Sequence, residues 1–185
     1  PHPNELVTQT LQAAATAGEY EPLCLGIHSI TLAGQLTLEV GDLMNQGGKK
    51  FGRNNIEVRR TRMMPLRLEL SGYDYTVGPK ILEKDKTLDI QKGQTGQFWL
   101  TFRVPHDTSP GKYAGKLRVK QGRQTLQTLS LELNIHAFEL IDPPVARYMW
   151  TGWFMRDFED NPEKIRARLV DMKNHGMTTI VVSLQ

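Results

Sequence analysis

The stretch Gln97-Phe98-Trp99-Leu100-Thr101-Phe102-Arg103-Val104-Pro105 reads as a β-strand with an abrupt stop. Phe98, Leu100, Phe102 and Val104 recur at every second position, with Trp99, Thr101 and Arg103 between them. A period of two puts the first set on a buried face and the second on the opposite face. Trp99 is therefore expected to point away from the core. Pro105 cannot donate to a strand ladder, so the strand ends there. Downstream, Ser109-Pro110-Gly111 reads as a turn. Tyr113, Gly115, Leu117 and Val119 then open a hairpin that reverses at Gln121-Gly122, and Leu129, Leu131, Leu133 and Ile135 return. Leu126 is out of phase with Leu129, which predicts a bulge near Gln127 or Thr128. Upstream, the same alternation runs through Leu23, Leu25 and Ile27; Leu36, Leu38 and Val40; Ile56 and Val58; and Leu66, Leu68 and Leu70. Roughly seven to nine short strands with these breaks predict a mainly β fold, an antiparallel immunoglobulin-like β-sandwich over residues 18–141. Residues 1–17 are polar and alanine-rich. They read as an N-terminal arm or short helix closed by Gly18.

At Asp142-Pro143-Pro144 the pattern changes. Tyr148-Met149-Trp150 is a short apolar strand. Asn161 is placed to cap a helix, with Pro162 at its first position and Glu163 in its first turn. Ile165, Leu169 and Met172 form a helical stripe, and Gly176 ends the helix. Thr178 to Leu184 is nearly all apolar, as in a strand covered on both faces. Strand, helix, strand is a βαβ unit. Two parallel strands and one helix cannot cover their own apolar surface. Residues 142–185 are therefore expected to open a (β/α)8 barrel whose remainder follows Gln185, which makes this a truncated chain. The alternative is that the unit docks on the sandwich.

Composition narrows the function classes. The 185 residues are 39% hydrophobic and 23% charged, a globular balance. The net charge of +3 is too small and dispersed to build a nucleic-acid surface, and its densest runs, Lys49, Lys50 and Arg53, then Arg59, Arg60 and Arg62, do not interleave with aromatics. No apolar run approaches the ~20 residues needed to span a bilayer as a helix. Cys24 is the single cysteine, so no intrachain disulfide forms; its apolar strand suggests a small buried side chain. His28, His106 and His136 lie apart with no metal-ligand spacing. No phosphate loop, nucleophile elbow, metal site or cofactor site is legible.

Several segments carry a resemblance. Gly18-Glu19-Tyr20-Glu21-Pro22, Gln97-Phe98-Trp99-Leu100, Val104-Pro105 followed by Pro110-Gly111-Lys112-Tyr113-Ala114-Gly115, and Asp171-Met172-Lys173-Asn174-His175-Gly176 resemble the front of glycoside hydrolase family 123-like proteins. The resemblance implies an N-terminal accessory sandwich followed by a barrel that does the chemistry, in the manner of a substrate-assisted hexosaminidase. It implies an adjacent Asp-Glu pair further along the barrel. No such pair follows Pro143, so no catalytic residue is carried over to this chain. The partners implied are the missing C-terminal barrel of the same polypeptide and a glycan, with no nucleic acid and no membrane. The sequence leaves the compartment open; the resemblance leans towards a secreted or periplasmic one.

Barrel sites lie at the C-terminal ends of the strands. This makes Trp150 and Trp153 candidate platforms for a sugar ring, against the ordinary reading that they fill a core or joint. Trp99 is a third candidate, on the sandwich, where a contact between domains is the plainer role. Asp157, Glu159 and Asp160 read as helix-start acids rather than catalysts, and His175 as a helix end. Alternative functions are a carbohydrate-binding module, for which Trp99, Tyr73 and Tyr75 are the loose aromatic candidates, and a structural sandwich with no sugar role.

Overall fold

The computed structural model describes residues 8–31, 33–67, 72–140, 145–150 and 161–181. The first strands are β1 (Thr10–Ala17), β2 (Tyr20–His28), β3 (Gly34–Val40), β4 (Leu43–Asn45) and β5 (Lys50–Phe51). A 3-10 turn at Arg53–Asn55 leads into β6 (Ile56–Arg67), β7 (Tyr75–Glu83), β8 (Thr87–Ile90) and β9 (Thr95–Arg103). The long hairpin β10 (Gly111–Gln121) and β11 (Gln124–Glu139) completes the first compact unit, residues 1–140. The second unit, residues 141–185, holds β12 (Tyr148–Trp150), helix α1 (Pro162–Asn174) and β13 (Thr179–Val181).

The first unit is a β-sandwich. Among the described residues one sheet runs β1-β11-β10-β3-β8, with β4 also pairing β10 and β5 pairing β4. The other runs β2-β9-β6-β7. β9 lies at the centre of the core: Phe98, Leu100 and Phe102 are wholly buried, as are Leu117, Leu131 and Leu133 of the long hairpin. Burial of each such side chain stabilises the fold by about 1.5–3 kcal/mol. Phe51 fills the end of the core edge-on to Tyr113, with ring centroids 6.2 Å apart. The Tyr113 hydroxyl donates to Ser109 O at 2.7 Å, which satisfies a buried polar group. The hairpin reverses at Gly122, and its register slips at Leu126, the extra residue between the pairs Val119↔Gln127 and Lys120↔Thr125. That is the expected bulge, one residue earlier than Gln127.

Four expectations need correction. Residues 10–17 form neither a helix nor a separate arm: β1 lies in register along β11, with Leu11 and Ala15 buried. Alanine's helix propensity is small beside the gain from pairing and burial. That pairing is parallel, so the sandwich is not wholly antiparallel. Cys24 is exposed, because the phase that buries Leu25 turns its neighbours outward. The chain turns at Pro105–Thr108, closed by the Thr108 N to Pro105 O bond of 3.0 Å, and Gly111 instead starts β10 at φ 134°.

The second unit is a βαβ unit, with β12 and β13 parallel from Tyr148↔Thr179 to Trp150↔Val181. The Asn161 side chain accepts from Lys164 N at 3.1 Å, with Pro162 in the first turn, as the sequence predicts. At the other end Gly176 N donates to Lys173 O and Met177 N to Met172 O, with Gly176 at φ 81°. This pair of bonds satisfies the last carbonyls of the helix. Met172 of the stripe is buried, while Ile180 of β13 is 37% exposed.

Candidate functional site

Trp99 lies on the outer face of the four-stranded sheet, as expected, and is half-buried. It stands in register between Cys24 of β2 and Arg59 of β6. One pair along, Thr101 lies between Pro22 and Glu57. Glu57 is the hub of this face: its Oε1 accepts from Arg59 Nε at 3.0 Å and its Oε2 from Arg103 Nη2 at 2.7 Å. Partial burial disfavours its charge, but the two guanidiniums outweigh that and hold the carboxyl below the usual range. Partial desolvation pushes the Cys24 thiol up, and the hydrogen bond with Gln97 counters this only in part. A raised thiol is a poor nucleophile.

Trp150 falls within β12, but its side chain lies outside the described residues, as do Trp153, Asp157, Glu159 and Asp160 in full. Tyr75, at the start of β7, is 62% exposed, and Tyr73, just before it, is 87% exposed beneath the Arg67 guanidinium. His28 shares a hydrogen bond with Thr95 Oγ1 at 2.9 Å, His136 stacks on Phe138, and His175 closes α1 against Asp171 O at 2.7 Å. Among the described residues no cluster of His, Cys, Asp or Glu has the makings of a metal site, and no helix is long and apolar enough to cross a membrane.

One charged cluster escaped the sequence reading. Arg60 shares the phase of Ile56 and Val58, so it enters between the sheets at their open edge. Its Nε donates to Glu83 Oε2 at 2.6 Å, and its Nη1 donates to Thr87 O at 3.1 Å and lies 3.4 Å from Asp85 Oδ2. Arg62 Nη2 reaches the other Glu83 oxygen at 2.5 Å. Because Thr87 belongs to the opposite sheet, Arg60 ties the two sheets together. The signal in the sequence was a charge at a core-phase position, where burial demands partners.

The sequence matches the family model described as glycoside hydrolase 123 N-terminal domain over residues 1–121. Among solved structures the chain is similar to a family 123 glycoside hydrolase from Clostridium perfringens, described in terms of glycolipid glycan hydrolysis, with a TM-score of 0.75 and 18% identity. The match covers 92% of this chain and 33% of that one, so this chain spans about a third of that enzyme's length. Weaker likenesses are to the ASH/PapD-like domain 7 of human CEP192, with a TM-score of 0.42, 12% identity and coverage of 71% and 84%, and to the N-terminal domain of PorA, with a TM-score of 0.34, 10% identity and coverage of 72% and 92%. Neither bears on function. No curated protein matches the sequence.

Proposed function

The chain belongs to the glycoside hydrolase 123 N-terminal domain family, and from that membership we propose that it is the non-catalytic accessory sandwich of a hexosaminidase-like glycoside hydrolase. In this reading β12, α1 and β13 begin a (β/α)8 barrel, and the residues that act on the sugar lie on polypeptide beyond Gln185. The observation that carries it is the reach of the structural likeness. A match over 92% of the chain extends past the sandwich unit into the βαβ unit, yet covers only 33% of the enzyme. The exposed Ile180 supports the same reading, since a parallel strand of that composition ordinarily lies under helices on both faces.

The test is an assay of p-nitrophenyl N-acetylhexosaminides with the 185-residue chain and with the longer gene product. The longer protein is expected to release nitrophenol and the chain to be inert. Hydrolysis by the chain alone, abolished by no change outside it, would sink the proposal.

A further inference from the structure

The four-stranded sheet does not stay closed along its length. β6 pairs with β9 from Ile56↔Phe102 to Arg60↔Phe98 and no further. Beyond that point Thr95 to Gln97 pair only with β2, and residues 61–67 pair only with β7. β8, one turn before β9, belongs to the opposite sheet. The split opens a cleft of about 630 Å³ between β6–β7 on one wall and β8–β9 on the other. That volume lies within the range of small-ligand pockets, about 300–1,000 Å³.

We propose that this cleft binds a neutral, polyhydroxylated ligand: one or two rings of a saccharide. The charges lining it cancel, Arg60 and Arg62 against Glu83 and Asp89, and Glu83 already holds both guanidiniums. A charged ligand therefore finds no net field to favour it. What remains is a mixture of donors and acceptors. The Asp89 side chain is exposed and, among the described residues, meets no partner within ion-pair or hydrogen-bond distance, although its charge acts on Arg60; its carboxylate oxygens remain open to a donor. Gln94 Oε1 is engaged by Gln91 N at 3.0 Å, which leaves the amide nitrogen to donate. Thr61, another lining residue, is 5% exposed, and its hydroxyl oxygen lacks a hydrogen-bond partner, an uncommon state for a buried polar atom. A sugar hydroxyl both donates and accepts, and so can serve each of these groups. Met63, Val77 and Leu88 add an apolar surface suited to the C–H face of a pyranose ring. Gly96 maintains the shape of the cleft, because a Cβ there would stand 2.6 Å from Leu88 Cδ2. This site lies apart from Trp99 and does not depend on the accessory reading, since it requires no barrel.

Isothermal calorimetry of the 185-residue chain with N,N′-diacetylchitobiose, maltotriose and, as an anionic control, sodium sulfate tests the proposal. At least one of the two saccharides is expected to bind with a Kd below about 10 mM. Asp89→Asn, at an exposed side chain, and Gln94→Glu, which keeps the oxygen that Gln91 N donates to and removes only the amide donor, are expected to leave the melting temperature nearly unaltered. Each is expected to weaken that binding about tenfold, the loss of one hydrogen bond to a charged or amide group. Absence of binding by both saccharides, binding indifferent to both substitutions, or preferential uptake of sulfate would each overturn the assignment.

Discussion

Gly18 carries the chain from β1 into β2 at φ 84°. Its N–H donates to Val104 O at 2.9 Å, while Glu19 O accepts from Val104 N at 2.8 Å, so the turn is stitched to the end of β9. A Cβ on Gly18 would fall 2.5 Å from His106 Cε1. Gly18→Ala should therefore lose about 1–2 kcal/mol to the left-handed backbone alone, and more to displacement of the imidazole. His106→Ala in the same chain relieves only the contact, so the double variant should recover part of the loss. Urea midpoints of the three proteins check this; an unchanged midpoint for the single variant would mean that the turn is not built this way. The sequence marked Gly18 as the end of a segment, but the partner that makes it necessary lies 88 positions downstream, beyond the reach of local patterning. Cys24 shows the converse. Its phase was legible from Leu23, Leu25 and Ile27, and only a habit of burying cysteine argued against it.

At the scale of elements, the sandwich strands were read from alternation because one face of each is buried, and alternation reports that asymmetry directly. The bulge at Leu126 was visible for the same reason. β1 was not, because Thr-Leu-Gln-Ala-Ala-Ala-Thr-Ala offers one large apolar residue and small neighbours. Small side chains carry little periodic signal, yet they suit a strand that packs closely at the sheet's edge. The parallel pairing supplies a test. Leu11 is 7% exposed and in register with Leu131, so Leu11→Ala should cost about 2–4 kcal/mol in a chemical denaturation curve. A flexible arm would lose nothing. The helix α1, by contrast, was legible to its boundaries, since Asn161, Pro162 and Gly176 each act on the backbone next to them.

For the whole molecule, the ion pairs decide how stability follows pH. Hydrogen bonds and nearby cations lower the carboxyls of Glu39, Asp42 and Glu132, with Lys120, the Arg53 N–H and Lys112 as the respective leading causes. Glu57 is lowered as well, although burial opposes it, because Arg59 and Arg103 both bind its charged form. Each of these groups holds its proton less readily folded than unfolded. Their stabilisation is thus complete above the unfolded values, about 3.9 for Asp and 4.3 for Glu, and is lost as pH falls through the lower folded values. Glu21 has the opposite sign: burial and then the charge of Glu19 raise it, so it weakens the fold slightly above its unfolded value. Glu57 should dominate the acid limb. Its side chain is 27% exposed and meets two cations in fixed geometry, whereas the Glu39 cluster is 45% exposed and screened by water. Calorimetric melting temperatures should hold steady from pH 7 to about 5 and fall steeply towards pH 3. Glu57→Gln should melt lower at pH 7 and show a shallower fall, the two curves converging at acid pH because protonated Glu57 has also lost its charge. Parallel curves would place the acid sensitivity elsewhere, and the Glu57 hub would then contribute geometry to the outer face without setting the molecule's stability.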